Sequence, residues 1–390
     1  MQTDRNHIDL PTLFAVLTLL VLSLGVVYSA SSTWALTRHG GSEWLLGKHA
    51  TKVFISFLTI FVFMRIDYKA FKRYTKPVLI GAVLLLLVTL AMGGEVKGAS
   101  RWLRLGDVGF QPSEFAKYAL LFHLCAMMAA KGEAVRDFNS GFLPMLVWIG
   151  TVTVLVLLQP NFSTAAMTIA ISFVMLFVGR AKLRHVALTV STLIPLLLVF
   201  AVGADYRLRR ILAFLAGSET DSDEANYQVW QGIIGFGNGG IFGLGPGASR
   251  QREGFLPQPF DDFVYSIIGE EYGLIGTVLV VALFLIVMLR GMKIARYARD
   301  EFGMFLAIGI TSTITLYGLV NAGVALGVLP TTGLPMPFVS YGGSSIFFSA
   351  IAIGVLLNIS SQTDMYPRLA PTADGVRPME PSKSAVGKVY

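Results

Sequence analysis

Ten apolar stretches, at about residues 11–30, 49–67, 77–93, 115–130, 142–159, 162–179, 185–203, 263–289, 303–328 and 344–360, constrain the fold of this 390-residue chain more than any other feature. A hydrocarbon core of about 30 Å takes roughly 20 helical residues to cross, whereas barrel strands would alternate over about ten. Only 14% of the residues are charged against 54% hydrophobic, and the mean hydropathy is +0.64, too apolar for a soluble globule of this size. The expectation is an all-α integral membrane protein, a polytopic bundle of about ten transmembrane helices. The first run follows Arg5, and Tyr28-Ser29-Ala30 resembles a signal-cleavage site. Its length and the nine further spans favour an uncleaved anchor.

Lys and Arg in alternate loops set the orientation. Most of the 31 fall on one side, in clusters such as Arg65-Lys69-Lys72-Arg73-Lys76, Arg180-Lys182-Arg184 and Arg290-Lys293-Arg296-Arg299. By the positive-inside rule that side is cytoplasmic, with both termini. The net charge of +7 is then topology signal plus affinity for anionic lipid, and calls for no nucleic-acid partner.

Most connections are short. The exception, about 204–262, faces the exterior on this count, and loops of that length in a compact protein usually carry function. A second external segment, about 94–114, interleaves Arg101, Arg104, Asp107 and Glu114 with Trp102, Leu103, Leu105 and Phe110, as a segment lying in the interface would. Residues 1–362 read as the transmembrane domain and 363–390, rich in Pro, Ser and Lys, as a disordered cytoplasmic tail. The eighth run, Phe263 to about Leu289, would span roughly 40 Å as one straight helix, so it must tilt or protrude.

Several chemistries are excluded or disfavoured. Cys125 is the single cysteine, so no intramolecular disulfide or cysteine metal cluster can form. His7, His39, His49, His123 and His185 are scattered without zinc-helix spacing. Gly235, Gly237 and Gly240 fit G-x-G-x-x-G, but no preceding strand supports a nucleotide site, and the glycines read as turns that bring the loop over a substrate. Ser340-Tyr341-Gly342-Gly343-Ser344 has no external histidine to make a nucleophilic serine. Pro330, Pro335 and Pro337 would break the helix there, and irregular backbone at membrane depth is tolerated where it lines a cavity.

Asp261 and Asp262 stand at the mouth of the eighth span, where a carboxylate costs free energy and reads as a working group. The plainer alternative for Asp262 is a helix N-cap. Glu114 and Lys117, three apart, share a helix face and either pair or work on substrate. Glu270 and Glu271 lie too far along the span to partner Asp262 and are expected to hydrogen-bond other helices.

Six segments in order resemble the SEDS family (shape, elongation, division and sporulation proteins), which are ten-helix peptidoglycan glycosyltransferases. They are Lys97 to Leu103, Gln111 to Lys117, Tyr227-Gln228-Val229-Trp230-Gln231, Gly235 to Gly247, Leu256 to Phe263 and Leu329 to Ser345. The resemblance covers about residues 10–362. Gly98-Ala99-Ser100-Arg101-Trp102, Gly245-Pro246-Gly247-Ala248-Ser249 and Ile267-Ile268-Gly269-Glu270-Glu271 look like the division branch rather than the elongation branch.

The resemblance implies polymerisation of lipid II, a disaccharide-pentapeptide on undecaprenyl diphosphate, outside the inner membrane and at the division septum. A lipid II flippase is the rival of another class. Asp262 matches the family's catalytic aspartate and is expected to act as general base. The substrate-binding candidates are Arg101, Glu114, Lys117, Arg207, Arg210, Gln228, Gln231, Ser340, Gly342, Gly343 and Ser344, the arginines suiting diphosphate. Implied partners are a class B penicillin-binding protein transpeptidase and division accessory proteins. A divalent cation, Mg or Mn, is chemically reasonable at the diphosphate, without a dedicated ligand set. Three positions depart from the family pattern: Asn161 replaces the Asp of Gln-Pro-Asp, Phe260-Asp261-Asp262 replaces His-Thr-Asp, and Tyr317 replaces the Gln that precedes Asn321. Asp261 would raise the pKa of Asp262 by like-charge repulsion.

Overall fold

The computed structural model describes residues 7–92, 101–105, 108–203, 208, 214, 224–363, 365, 370–372 and 375–377. Its helices are α1 (Leu10–His39), α2 (Trp44–Arg65), α3 (Tyr68–Met92), α4 (Pro112–Lys131), α5 (Leu143–Leu158), α6 (Phe162–Val178), α7 (Leu183–Val202), α8 (Glu224–Gly239), α9 (Val264–Arg296), α10 (Glu301–Ala325) and α11 (Gly343–Ser361). Each of the ten apolar runs lies on one of them. Among the described residues seven helices are long and apolar enough to cross a membrane. The protein is an integral membrane protein of the expected all-α class.

Local chemistry sets the helix ends. Asp9 caps α1 by accepting from the Thr12 N–H at 3.1 Å, and Asp300 caps α10 by accepting from Gly303 N–H at 2.8 Å. Pro112 occupies the first turn of α4, where its missing N–H costs nothing. Helices α10 and α11 form the centre: 72% and 83% of their apolar windows are buried, against 28% for α3. Around them α2 lies along α11, α9 along α10 and α1, and α3 along α4.

The end opposite the candidate site is fastened by polar contacts. Asp9 accepts from Arg290 Nε at 3.0 Å and donates its N–H to Ser360 Oγ. Asn358 accepts from the Tyr68 N–H and donates to Met64 O. In an apolar medium each such bond satisfies a group that would otherwise be orphaned.

α9 is not the straight helix expected of the eighth run. It breaks at Gly273, whose φ of 63° and ψ of −160° are non-helical. Residues 240–245 fill the break: Leu244 N–H donates to Glu270 O, Gly245 N–H to Glu271 O, and Leu274 N–H to Gly240 O. A Cβ on Gly273 would stand 2.4 Å from Ile241 O, so only glycine fits. The first part of α9 is therefore a short leg leading from Asp262 into the span.

The glycine stretch needs a correction as well. Gly235 and Gly237 lie within α8 rather than in turns. A Cβ at Gly232 would meet Ser266 Oγ at 2.8 Å and one at Gly239 would meet Gly269 O at 2.0 Å, so α8 and α9 touch through a seam of small residues. The glycines with left-handed φ in this region are Gly240, Gly243, Gly245 and Gly247. In the 94–114 segment the described residues include a hairpin, Leu103–Leu105 paired with Val108–Phe110, followed by the start of α4 at Pro112. Most of the 363–390 tail lies outside the described residues, and Ala370–Thr372 pairs with Gly375–Arg377.

Candidate active site

Leu256, Phe260 and Phe263 are buried, and between them Asp261 and Asp262 are half-buried. Apolar anchors on both sides thus hold two carboxylates at the surface. The Phe260 ring packs edge-on against Trp34 of α1 at 5.3 Å and Tyr341 at 5.8 Å, while its carbonyl accepts from Tyr341 N–H at 2.9 Å. Asn321, near the end of α10, donates to both Asp262 O and Leu334 O, each at 2.8 Å. The N-cap of α9 is Phe263, with no side-chain capping bond, so Asp262 is not the helix cap.

The wall facing Asp262 is the proline-broken segment between α10 and α11. A Cβ on Gly333 would lie 3.8 Å from Asp262 Oδ2, so that carboxylate oxygen faces the Gly333 turn. Phe338 is fully buried at φ 65°, and Gln258 on the other side has φ 56°. Non-glycine residues hold such angles only where their surroundings dictate them. Ser340 supplies part of that constraint, its Oγ accepting from Met336 N–H at 2.8 Å. Gly342 caps α11, and Ser344 Oγ accepts from Gln111 N–H at 3.0 Å. The starts of α4, α9 and α11 are gathered at this end, each contributing partial positive charge.

Glu114 and Lys117 form an ion pair at 2.8 Å with both side chains buried. The Lys117 ammonium lies 3.9 Å from the Tyr317 ring centroid, and Tyr317 sits one turn before Asn321. Arg101 donates from Nε to Gln159 O at 3.2 Å and from a terminal nitrogen to Pro160 O. It holds the turn where Asn161 replaces the family's aspartate, and Asn161 Nδ2 in turn reaches Ser113 Oγ at 3.4 Å. Gln228 and Gln231 are half-buried on α8, beside the start of α9. Arg207 and Arg210 lie outside the described residues.

Glu270 accepts from Asn238 of α8, Ser249 Oγ and Gln251 N–H, while Glu271 accepts from Ser29 of α1. As expected, they fasten α9 to other segments. Among the described residues no three His, Cys, Asp or Glu side chains converge as metal ligands. Asp261 and Asp262 alone do not make a dedicated divalent-cation site, whose ion takes six or more oxygens.

Lys52 is masked in the sequence by the apolar run it lies in. Its ammonium is 3.4 Å from the Tyr341 ring centroid, and a Cβ on Gly343 would lie 3.7 Å from its Nζ. Asp261 lies within electrostatic reach of both Lys52 and Tyr341. The signal is there in the chain: a cation two turns into a span, one turn beyond Lys48, is rare enough to mark. The whole is a carboxylate at a membrane-protein end, cations close by, and helix starts that favour anions.

A family model described as "Cell cycle protein", covering FtsW, RodA and SpoVE, matches residues 11–365. The "Probable peptidoglycan glycosyltransferase FtsW" of Geobacter metallireducens is 38% identical over 361 residues, covering 92% of this chain and 96% of the relative. The "Stage V sporulation protein E" of Bacillus subtilis is 35% identical, covering 92% and 99%. A solved structure described as "Structural coordination of polymerization and crosslinking by a peptidoglycan synthase complex" contains a chain 26% identical, with TM-score 0.74, covering 90% of this chain and 97% of that one. RodA of Thermus thermophilus, 24% identical at TM-score 0.68 with 92% and 98% covered, shares the fold. With a match that runs from α1 past the end of α11, this chain belongs to the SEDS family of cell cycle proteins that includes FtsW, RodA and SpoVE.

Proposed function

We propose that this chain is a peptidoglycan glycosyltransferase of the division type, polymerising lipid II into glycan strands at the outer face of the inner membrane. One observation supports the reading: Asp262, which the resemblance matches to the family's catalytic aspartate, stands half-buried at the end of the bundle, its backbone held by Asn321 and its Oδ2 facing Gly333. Relatives 38% identical over most of the chain bear the glycosyltransferase name.

Transfer needs a base for the attacking sugar hydroxyl and positive charge for the departing lipid diphosphate. Asp262 accepts the proton from the 4-hydroxyl of the incoming GlcNAc. That oxygen attacks C1 of the lipid-linked MurNAc, the C1–O bond to the diphosphate breaks, and the anomeric centre inverts. Arg101, Arg207 and Arg210 are the candidates for the diphosphate, with the starts of α4 and α11 adding a favourable field. Gln228, Gln231, Ser340, Gly342, Gly343 and Ser344 shape the sugar side. Glu114 and Lys117 act from behind Tyr317. A Mg or Mn ion would be held by the diphosphate itself, since Asp261 and Asp262 alone make no dedicated site.

Both termini are cytoplasmic in this reading, and a class B penicillin-binding protein is the partner, which agrees with the synthase complex whose chain shares this fold. Transport across the bilayer fits less well: α5, α6 and α11 carry no Lys, Arg, Asp or Glu, and a diphosphate crossing the midplane would need some. The test is purified protein with lipid II, with and without the co-purified transpeptidase. Glycan ladders support the reading; movement of lipid II across vesicles without ladders overturns it.

A further inference from the structure

We propose that Lys52 is a positioning residue, the counter-charge that holds Asp261 against the Tyr341 corner and so lets Asp262 act as base. This inference rests on the assignment of Asp262 above. The family's His-Thr-Asp reads Phe260-Asp261-Asp262 here, which adds a carboxylate directly beside the base. Two adjacent anions at an apolar boundary oppose each other's ionisation, so the extra charge needs an answer. Lys52 is where that answer would have to be. It is half-buried in α2, its ammonium rests on the face of Tyr341, and Tyr341 is bonded through its N–H to Phe260 O, next to Asp261.

The geometry is specific to this corner. Gly343 leaves room for the Lys52 stem, since a Cβ there would sit 3.3 Å from Cε. Lys48, one turn earlier on the same face of α2, stacks on Trp44 at 4.0 Å, and its like charge acts on Lys52. The other titratable or charged groups packed about the corner are Arg38 of α1, which stacks on Trp34, His49 of α2, bonded to Ser23, Tyr341 itself, Arg252, which donates to Ser29 and Ser32, and Tyr317 with Lys117 behind Asn321. A cation placed in a span without a task is unfavourable, and a carboxylate within its electrostatic reach supplies one.

The experiment compares wild type, Lys52→Met, Lys52→Arg, Asp261→Asn and the double variant Lys52→Met/Asp261→Asn in lipid II polymerisation across pH. Losing the counter-charge moves the acid limb of Lys52→Met up by about one unit, which lowers its rate roughly tenfold at pH values below both limbs and leaves the plateau rate unchanged. Lys52→Arg keeps the wild-type limb, Asp261→Asn moves it down, and the double variant returns toward wild type. A double variant as slow as Lys52→Met overturns the inference, because Lys52 would then meet substrate directly. A Lys52→Met profile that overlays wild type overturns it as well. Thermal midpoints of the same proteins read the pair without turnover: non-additive shifts support it and additive shifts sink it. If wild type makes no glycan while the midpoints are non-additive, the glycosyltransferase reading fails and the Lys52–Asp261 pair stands.

Discussion

Asn321 and Asp262 are joined by a single side-chain amide: Asn321 Nδ2 donates to the carbonyl of Asp262 and, with its second hydrogen, to that of Leu334, each at 2.8 Å. One side chain from α10 thus fixes the base and the wall facing it. Replacing Asn321 by Ala orphans two carbonyls, a cost of about 1–3 kcal/mol for a buried group. A displacement of about 1 Å at a reacting carboxylate can cost on the order of 10²-fold in rate. Asn321→Ala is therefore expected to lower polymerisation far more than it lowers the thermal midpoint. A variant with wild-type kinetics would show that the amide does not position the base.

The Glu114–Lys117 pair is buried on both sides, so breaking it leaves one charge uncompensated. Lys117→Met or Glu114→Met alone should cost about 3–5 kcal/mol, and the pair of changes together much less. Chemical or thermal unfolding of the three variants in detergent checks this. If the double variant regains stability but no activity, the pair serves substrate as well as structure.

Glycine positions separate into two kinds. A Cβ at Gly273 or Gly239 would lie 2.4 Å or 2.0 Å from a backbone oxygen, while one at Gly237 meets nothing within 4 Å. Gly273→Ala and Gly239→Ala should destabilise by at least 1–3 kcal/mol through overpacking, and Gly237→Ala should be neutral or slightly stabilising because alanine favours helix. Three thermal melts decide it, and equal midpoints for Gly237→Ala and Gly239→Ala would contradict the seam between α8 and α9.

Burial first, and the Asp261 carboxylate second, push the Tyr341 phenol up to about 12. A group whose folded pKa is raised contributes stability that is complete below its unfolded value, about 10, and is lost as pH rises through the folded value. Wild type should therefore lose stability between about pH 10 and 12 by a component that Tyr341→Phe lacks. Difference melts over that window would show it, and parallel curves would contradict it.

The spans were legible because hydropathy reports them directly, and the corner of Asp262 because six segments in order resemble one family. What escaped has physical reasons. The break at Gly273 depends on residues 240–245 donating and accepting across it, a long-range pairing that no local pattern displays. Gly235 and Gly237 look like a turn in sequence, yet apolar neighbours such as Phe236 pull the segment into α8. Lys52 was hidden by the apolar average around it. Arg101 reads in sequence as a cation for diphosphate, and no local pattern shows that two carbonyls of the Gln159-Pro160 turn also hold its guanidinium.

The most direct measurement is lipid II polymerisation by purified wild type against Asp262→Asn, with Asp261→Asn beside them and folding verified for all three. The account expects glycan ladders from wild type and Asp261→Asn, and a loss on the order of 10²- to 10⁴-fold for Asp262→Asn, the usual worth of a general base. Equal ladders from wild type and Asp262→Asn would contradict it.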